Sequence, residues 1–282
     1  MATLYQEARA TLQSADFKPR KRLGQHFLVH DGVIENILRL ADLSSGDEVL
    51  EIGPGLGYLT RRLLAVAPQV WAVEVDPFLV GWLRKSLVDH HPGLHLIHGD
   101  ILKVPLEAIL ADKKVKVVAN LPYNISTPIL FRLFELRHTF SLLVLMVQHE
   151  VAERMIARPA TQSYGTLSVM FQVHGKVVDK LSISPEAFFP RPKVRSTVLK
   201  IALYPDPLVP VEDAILFRDV VRGAFGQRRK TLNNSLAASL ELKREEVNQL
   251  LQREGIDPRR RGETLSIDEF MRLTQALKLM RP

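Results

Sequence analysis

The chain has 282 residues, 46% of them hydrophobic, which is enough for one large globular domain and a small second one. The absence of cysteine excludes disulfide bonds, thiolate metal sites and reactions that attack a substrate through a thiol. The net charge of +7 indicates a polyanionic partner such as nucleic acid, and no apolar run approaches the roughly 18 residues of a membrane-spanning helix.

The amino-terminal part of the chain carries charges of both signs and then a basic cluster. Glu7 and Asp16 do not fit a secretory signal or a transit peptide, so we expect a soluble cytoplasmic protein that does not bind membranes. Four cations follow within five residues: Lys18, Arg20, Lys21 and Arg22. They either contact the phosphates of an RNA or form an ordinary solvated face.

Short β-branched runs alternate with amphipathic stretches from residue 47 onward, and this alternation predicts a parallel sheet covered by helices. The predicted strands are DEVLEIG, VWAVEVD, LHLIHGD, VKVVANLP and FSLLVLMVQ (140–148), the last of them apolar on both faces and followed by a helix over 149–158. Two later runs, KVVDKLSI and STVLKIAL, indicate a closing antiparallel pair. The predicted fold class is therefore α/β.

The proline-rich stretch YPDPLVP, residues 204–210, interrupts this pattern and indicates a domain boundary. Helical periodicity without strand signals follows over 211–225, 230–240, 243–254 and 266–279, and SIDE at 266–269 resembles a capping box. We predict a catalytic domain over 1–207 and a small helical domain over 208–282 that binds RNA.

Three glycines, Gly53, Gly55 and Gly57, stand between a predicted strand and a predicted helix. The absence of side chains lets a nucleotide-like ligand approach the backbone amides closely. The spacing is G-x-G-x-G with Glu51 two residues earlier, and it differs from the G-x-G-x-x-G of dehydrogenases, which bind a pyrophosphate. It favours a ligand without phosphates.

Acidic residues follow the next two strands. Glu74 ends the second strand, where a carboxylate can accept both hydroxyls of a ribose, and Asp76 is its rival two residues later. Asp100 ends the third strand and can accept from an exocyclic amine such as adenine N6. The alternative is that Glu74 and Asp100 only cap the helices that follow them.

The fourth strand ends in Asn-Leu-Pro-Tyr, residues 120–123. The Asn120 side chain and the Leu121 carbonyl, oriented by Pro122, can accept from the amine of an adenine, and Tyr123 offers a face for base stacking. Such a clamp suits alkylation of N6, whose lone pair is delocalised into the ring. The alternative is an ordinary strand-to-helix turn with Tyr123 in the core.

These motifs together resemble the KsgA/RsmA family, the small-subunit (16S) ribosomal RNA adenine dimethyltransferases. The matching stretches are KRLGQHFL, EIGPGLGYLT, VEVD, GD, NLPYNISTP, QHEVAERM, FFPRPKVRSTV and FGQRRKTLNN. The resemblance implies a class I Rossmann-like fold and S-adenosyl-L-methionine as the methyl donor. The donor would contact His26, Leu28, Gly53, Gly55, Glu74, Asp100 and Asn120. His26 departs from the family, which more often has Asn there.

The implied reaction methylates N6 of two adjacent adenosines in the 3′-terminal hairpin loop of 16S rRNA, in the small ribosomal subunit or its precursor. We expect a monomer whose first 45 residues contact both donor and RNA, and we expect no metal site. As a hypothesis, Phe188 and Phe189 form a wall around the methylated amine. The expected RNA-contacting residues are Lys21, Arg22, Arg228, Arg229 and Lys230.

Three other functions share some of these features. A nicotinamide dehydrogenase has a glycine loop and a strand-end acid, but it accounts for neither Asn-Leu-Pro-Tyr nor the basic charge. An assembly factor that binds RNA without catalysis would not need Gly53, Glu74, Asp100 and Asn120 intact. A large-subunit rRNA adenine methyltransferase shares the core motifs, and only FFPRPKVRSTV and FGQRRKTLNN favour the small-subunit family.

Overall fold

The computed structural model describes residues 3–111, 113–227 and 229–280. The chain divides into two compact units. The sheet unit comprises Met1–His149 and Val177–Leu203, and the helical unit comprises Glu150–Lys176 and Tyr204–Pro282. The predicted single boundary at 207/208 differs from this division, because the segment after the fifth strand of the sheet packs with the tail instead of with the sheet.

The strands come in this order: β1 Phe27–Leu28, β2 Glu48–Ile52, β3 Gln69–Glu74, β4 Leu94–His98, β5 Val115–Asn120, β6 Phe140–Gln148, β7 Gly175–Ile183, β8 Phe188–Phe189 and β9 Ser196–Leu203. The helices are α1 Leu4–Ser14, α2 Asp31–Ala41, α3 Tyr58–Leu64, α4 Pro77–Ser86, α5 Leu106–Ile109, α6 Ser126–Glu135, α7 His149–Ile156, α8 Thr166–Gln172, α9 Ala214–Phe225, α10 Leu232–Leu240, α11 Arg244–Arg253 and α12 Ile267–Met280.

The main sheet has the order β4-β3-β2-β5-β6-β9-β7. The first five of these strands are parallel, β9 runs antiparallel to β6, and β7 lies beside β9. The α/β prediction with an antiparallel closing strand is confirmed. The central strands are buried on both faces, as Leu50, Val118 and Leu145 show, which explains why they are continuous apolar runs.

A second, two-stranded sheet pairs β1 with β8 in antiparallel register. It joins the amino-terminal segment to the segment before β9, with Phe27 opposite Phe189 and Leu28 opposite Phe188. Helix α1 packs on it, since Ala8 and Leu12 are buried in the same core as Phe27 and Phe188. This pairing was absent from the predicted elements, because each strand is only two residues long.

The helical unit has its own hydrophobic core, which includes Phe217, Leu236, Leu251 and Phe270. The predicted helices of the tail are confirmed, and their ends differ from the predicted ones by three residues or fewer. The predicted capping box is also present, since Ser266 and Glu269 exchange hydrogen bonds at the start of α12. Among the described residues, no helix is long and apolar enough to cross a membrane.

Candidate active site

A cavity of about 260 Å³ opens at the carboxyl edge of the parallel strands β2 to β5. Ligands of open α/β sheets bind at this edge because all parallel strands end there. The cavity brings together nine of the predicted residues: His26, Gly53, Gly55, Glu74, Asp100, Asn120, Leu121, Pro122 and Tyr123. The strand-end positions predicted from the sequence therefore converge on one site.

The glycine loop forms one side of the cavity. Gly53 has a φ of +69°, and nothing lies within 4 Å of the position that a Cβ would occupy, so the space above its backbone is open. At Gly55 a Cβ would stand 2.9 Å from the ring of Phe27, which packs directly on the loop. At Gly53 the absence of a side chain leaves room for a ligand. At Gly55 it leaves room for the ring of Phe27.

Glu74 lies buried at the end of β3 and accepts three backbone hydrogen bonds. One carboxylate oxygen accepts from the N–H of Gly55 at 3.2 Å, and the other accepts from the N–H groups of Val75 and Asp76 at 2.9 Å. Burial raises the pKa of Glu74, and these hydrogen bonds oppose the rise. The carboxylate is thus fixed in the cavity wall, where a ribose could donate to it.

Asp76, the rival of Glu74, has another role in the structure. It is fully buried, it caps α4 by accepting from the N–H of Phe78 at 3.0 Å, and it does not line the cavity. Asp100 does line the cavity, although it also accepts from the N–H of Leu102 at 3.0 Å within a turn. The cavity position favours Glu74 over Asp76 as the ribose acceptor.

Asn120 is the polar side chain at the end of β5. Its amide nitrogen donates to the carbonyl of His26 at 3.0 Å, which identifies the other atom as the oxygen. That oxygen is buried and has no hydrogen-bond partner within the described protein. A buried acceptor without a partner is costly, so its presence in a cavity wall indicates a donor from a ligand.

Tyr123 follows the tetrapeptide's proline and is half-buried in the same wall. Its hydroxyl forms a hydrogen bond of 2.5 Å with Ser196, and burial raises the pKa of the phenol. The ring lies 5.5 Å from the imidazole of His26 at an interplanar angle of 26°. Nδ1 of that imidazole contacts the carbonyl of Pro190 at 2.7 Å, so both rings are held in place.

Three of the residues predicted to contact the donor or the methylated amine lie outside the main cavity: Leu28, Phe188 and Phe189. Leu28 lines a smaller neighbouring cavity, which it shares with His26, Gly53 and Asn120. Phe188 is 1% exposed and packs in the hydrophobic core, and Phe189 packs edge-on against Tyr5. Neither lines the cavity, and their role as a wall around the amine stays a prediction.

The predicted RNA-contacting residues lie in both units. Arg22, in the sheet unit, is exposed, and its carbonyl accepts from Asn124; Arg229 and Lys230, in the helical unit, are also exposed. The side chain of Lys21 and all of Arg228 lie outside the described residues. Exposure at these positions permits contact with RNA, and the contacts themselves stay a prediction.

Several residues of the site were not predicted from the sequence. Glu51 is fully buried beside the glycine loop, and burial together with the neighbouring Glu74 carboxylate raises its pKa to about 8. Gln25 and Asn124 line the main cavity without having been predicted. Their only signal was position, because Gln25 directly precedes His26 and Asn124 directly follows Tyr123.

The donor set fits an adenosine-containing ligand such as S-adenosylmethionine. The buried carboxylate of Glu74 suits ribose hydroxyls, Asp100 suits an exocyclic amine, and the open backbone at Gly53 lets the ligand approach closely. The unpartnered oxygen of Asn120 adds an acceptor at the same cavity. The described lining therefore has acceptors for the ribose hydroxyls and for an exocyclic amine of an adenosine.

The fold and the site define a class I methyltransferase. A parallel sheet with an antiparallel closing strand carries a G-x-G-x-G loop after its first main strand and acids after the next two. The chain belongs to the ribosomal RNA adenine dimethylase family, whose sequence model matches residues 16–279.

Curated relatives have the same name in several bacteria. The chain is 44% identical over 263 residues to "Ribosomal RNA small subunit methyltransferase A" of Clostridium botulinum (strain Loch Maree / Type A3), covering 93% of this chain and 95% of the relative. It is 45% identical to the protein of that name in Geobacter metallireducens, covering 94% and 98% of the two chains.

Two solved structures have a similar fold at lower sequence identity. A dimethyladenosine transferase from Plasmodium falciparum superposes with a TM-score of 0.73 at 26% identity, covering 90% of this chain and 98% of that one. The 23S rRNA methyltransferase ErmE superposes with a TM-score of 0.65 at 27% identity, covering 89% and 99%. The similarity therefore extends over both units of the chain.

Proposed function

We propose that this protein transfers methyl groups from S-adenosylmethionine to N6 of two adjacent adenosines in the 3′-terminal hairpin loop of 16S rRNA, during biogenesis of the small ribosomal subunit. Membership of the adenine dimethylase family and the name of the bacterial relatives support the reaction and the substrate. The single observation that carries the chemistry is the buried oxygen of Asn120, which has no partner among the described residues.

The Asn120 oxygen receives one N–H of the target amine. The fit depends on the amide orientation, which the hydrogen bond from its nitrogen to the carbonyl of His26 maintains. The carbonyl of Leu121 is the second acceptor, and two acceptors draw the amine toward a pyramidal geometry that frees its lone pair. Tyr123 stacks on the extruded base, a contact worth about 1–3 kcal/mol.

S-adenosylmethionine supplies a methyl group that its positively charged sulfur makes electrophilic. The residues of the chain position the two reactants, and positioning alone can lower the barrier of such a transfer substantially. Glu74 holds the ribose and Asp100 the adenine amine of the donor. No general base is required, because the methylated amine is acidic enough to lose its proton to water, and Asn120 acts only as an acceptor.

The large-subunit alternative is less well supported. ErmE, a 23S rRNA methyltransferase, shares the fold at 27% identity, whereas the small-subunit relatives reach 44% and 45%. The glycine spacing disfavours a dehydrogenase. Catalytic loss is also disfavoured, because Gly53, Glu74 and Asp100 line the site together with the unpartnered oxygen of Asn120.

The test is methylation of small subunits from cells that lack the modification, with radiolabelled donor and subsequent identification of the modified bases. We expect N6,N6-dimethyladenosine at two adjacent positions of the 3′-terminal hairpin loop. Large subunits from the same cells serve as the control. Methyl groups in 23S rRNA, or none in either subunit, would contradict the proposal.

A further inference from the structure

The segment of residues 20–27, called here the strap, forms one wall of the cavity without belonging to the sheet that builds the others. Five of its residues, 23–27, line the cavity directly. In the described structure the strap has little regular backbone pairing: a short 3-10 turn begins at Lys21, and β1 begins at Phe27. Between the core packing of Phe27 and the start of the chain segment, side-chain hydrogen bonds to residues at the ends of the sheet strands hold the strap in place.

The strap is bonded at two points to the end of β5 and to the turn that follows it. The amide of Asn120 donates to the carbonyl of His26 at 3.0 Å, and the amide of Asn124 donates to the carbonyl of Arg22 at 2.9 Å. Gly24 has a φ of +62°, and a Cβ there would stand 2.8 Å from the Asn124 oxygen. The strap thus lies tightly against the residues assigned to the target adenine.

The other attachment is Gln25, which reaches the end of β3. Its amide nitrogen donates to the carboxylate of Asp76 at 2.8 Å, and its oxygen accepts from the N–H of Arg20 at 2.7 Å. Asp76 has no exposed surface, and the guanidinium of Arg20 lies 3.5 Å from the same carboxylate oxygen. A hydrogen bond to a buried charge is among the stronger contacts a side chain can make.

Asp76 connects this attachment to the donor side of the cavity. Its backbone N–H donates to the carboxylate of Glu74 at 2.9 Å, while its side chain caps α4. The side-chain amide of Gln25 thereby links the strap, through Asp76, to the carboxylate of Glu74 that is assigned to the donor ribose. On the far side of Gln25 stand His26 and Phe27, and Phe27 packs on Gly55 of the glycine loop.

We propose that Gln25 is a positioning residue, which holds the strap against the end of β3 so that the wall formed by His26 and Phe27 encloses the methyl donor. The role of the strap in enclosing the donor rests on the proposed function. The attachment itself, from Gln25 to buried Asp76, does not depend on it. In this role Gln25 acts through the strap, although it also lines the cavity.

The arrangement predicts a specific pattern of substitutions. Gln25→Glu places a carboxylate that cannot donate next to the buried carboxylate of Asp76, whereas Gln25→Ala only removes the bond. In the double variant Gln25→Glu/Asp76→Asn, the new amide donates to the new carboxylate and its oxygen still accepts from Phe78, so these two hydrogen bonds have partners again, whereas the ion pair of Arg20 with the Asp76 carboxylate is lost. Asparagine also keeps the capping ability of aspartate.

Two measurements follow the strap independently of methyl transfer. Hydrogen–deuterium exchange of the amides of residues 20–27 is recorded without ligand, and the dissociation constant of S-adenosylhomocysteine is measured by calorimetry. We expect Gln25→Glu to accelerate the exchange and to weaken binding by about tenfold, as for a lost hydrogen bond to a charge. Gln25→Ala should have the smaller effect, and the double variant should return toward wild type.

The matched control is Gln252→Glu on an exposed position of α11, which adds the same charge in the helical unit. The proposal would be overturned if both Gln25 variants had the exchange rates and donor affinity of wild type. It would also be overturned if the double variant had the same exchange rates and affinity as Gln25→Glu. The two proposals can fail separately. If the Gln25 variants change exchange and affinity as expected but the wild-type protein does not methylate small subunits, the proposed function is refuted and the attachment of the strap stands. Thermal unfolding of each variant identifies any that does not fold.

Discussion

Asn120 combines two tasks in one side chain, because its nitrogen and oxygen are differently engaged. The nitrogen is bonded to the carbonyl of His26, while the oxygen is buried without a partner among the described residues. An aspartate at this position could not make the first bond, and an alanine could make neither. Asparagine therefore fits this position, because it has both a nitrogen that donates and an oxygen that accepts.

The Asn120→Ala variant should lose activity while it retains its fold. Removal of the acceptor leaves the amine lone pair delocalised, so we expect turnover to fall by about 10²–10³, as for the loss of an oxyanion-hole donor. Single-turnover methylation of unmodified small subunits measures this. Asn248→Ala on α11 is the control, and equal turnover in the two variants would refute the role of Asn120.

Donor affinity should separate Asn120 from Glu74. Because Glu74 is the carboxylate assigned to the ribose, Glu74→Ala should weaken S-adenosylmethionine binding more than Asn120→Ala does. Calorimetry on both variants at one pH provides the comparison. If Asn120→Ala weakened binding more than Glu74→Ala, Glu74 at the end of β3 would not be the residue that contacts the ribose.

Glu51 should make the free energy of unfolding depend on pH. Its pKa is raised from 4.5 to about 8 in the folded protein, chiefly by burial. Between these values the folded protein holds a proton that the unfolded chain has released, so the free energy of unfolding falls as the pH rises. The expected slope is at most about 1.4 kcal/mol per pH unit.

The Glu51→Gln variant isolates this contribution, because glutamine does not ionise. We expect its stability relative to wild type to increase between pH 6 and pH 8 in chemical denaturation. Glu245→Gln, at an exposed position of α11, should show no such trend. A constant difference between wild type and Glu51→Gln across this range would contradict the raised pKa.

At the scale of elements, the loop between β2 and α3 shows why three similar glycines have different roles. Gly53 borders open space, Gly55 borders the ring of Phe27, and Gly57 borders the side chains of Leu83 and Leu87. All three have positive φ values. One motif in the sequence therefore serves ligand approach, packing of the strap and packing of α4.

Alanine at Gly53 and at Gly57 should separate these roles. Both variants incur about 1–2 kcal/mol of left-handed backbone strain. Gly57→Ala also places a Cβ 2.7 Å from Leu87, so it should destabilise the protein more. Gly53→Ala should chiefly weaken donor binding, because its Cβ enters the open space of the cavity.

Denaturation midpoints and donor dissociation constants of the two variants check this prediction. Each variant is the control for the other, since the backbone strain is common to both. If Gly53→Ala bound the donor as tightly as wild type, the open space above Gly53 would not belong to the donor site.

At the scale of the whole molecule, the helical unit brings together basic segments that are distant in sequence. The N–H of Leu232 donates to the carbonyl of Arg260 at 2.6 Å, which places the start of α10 beside the 258–261 loop. Arg260 itself is paired with Glu269, and Arg259 with Asp257. The exposed side chains of Arg229 and Lys230 are therefore better candidates for phosphate contact than those two arginines.

The Arg229→Ala/Lys230→Ala variant should bind small subunits with a weaker salt dependence. Each lost phosphate contact lowers the slope of log affinity against log salt concentration by about 1. Donor affinity should not change. Arg244→Ala, an exposed cation on α11, is the control, and an unchanged slope in the double variant would exclude the two side chains from the RNA interface.

The sequence by itself determined the sheet, the order of its strand-end motifs and the family. These are local patterns: apolar runs predict strands, and residues that follow parallel strands meet at one edge whatever else the chain does. Gly53, Glu74, Asp100 and Asn120 could thus be assigned to one site before any contact was known. The helices of the tail followed from periodicity in the same way.

Only the tertiary structure decided how side chains distant in sequence share their hydrogen bonds. It distinguished Glu74 from Asp76, buried Phe188 against the core, grouped 150–176 with the tail and joined Gln25 to Asp76 across 51 positions. The physical reason is that burial and pairing depend on what packs against a residue. No local pattern in a single sequence specifies those neighbours.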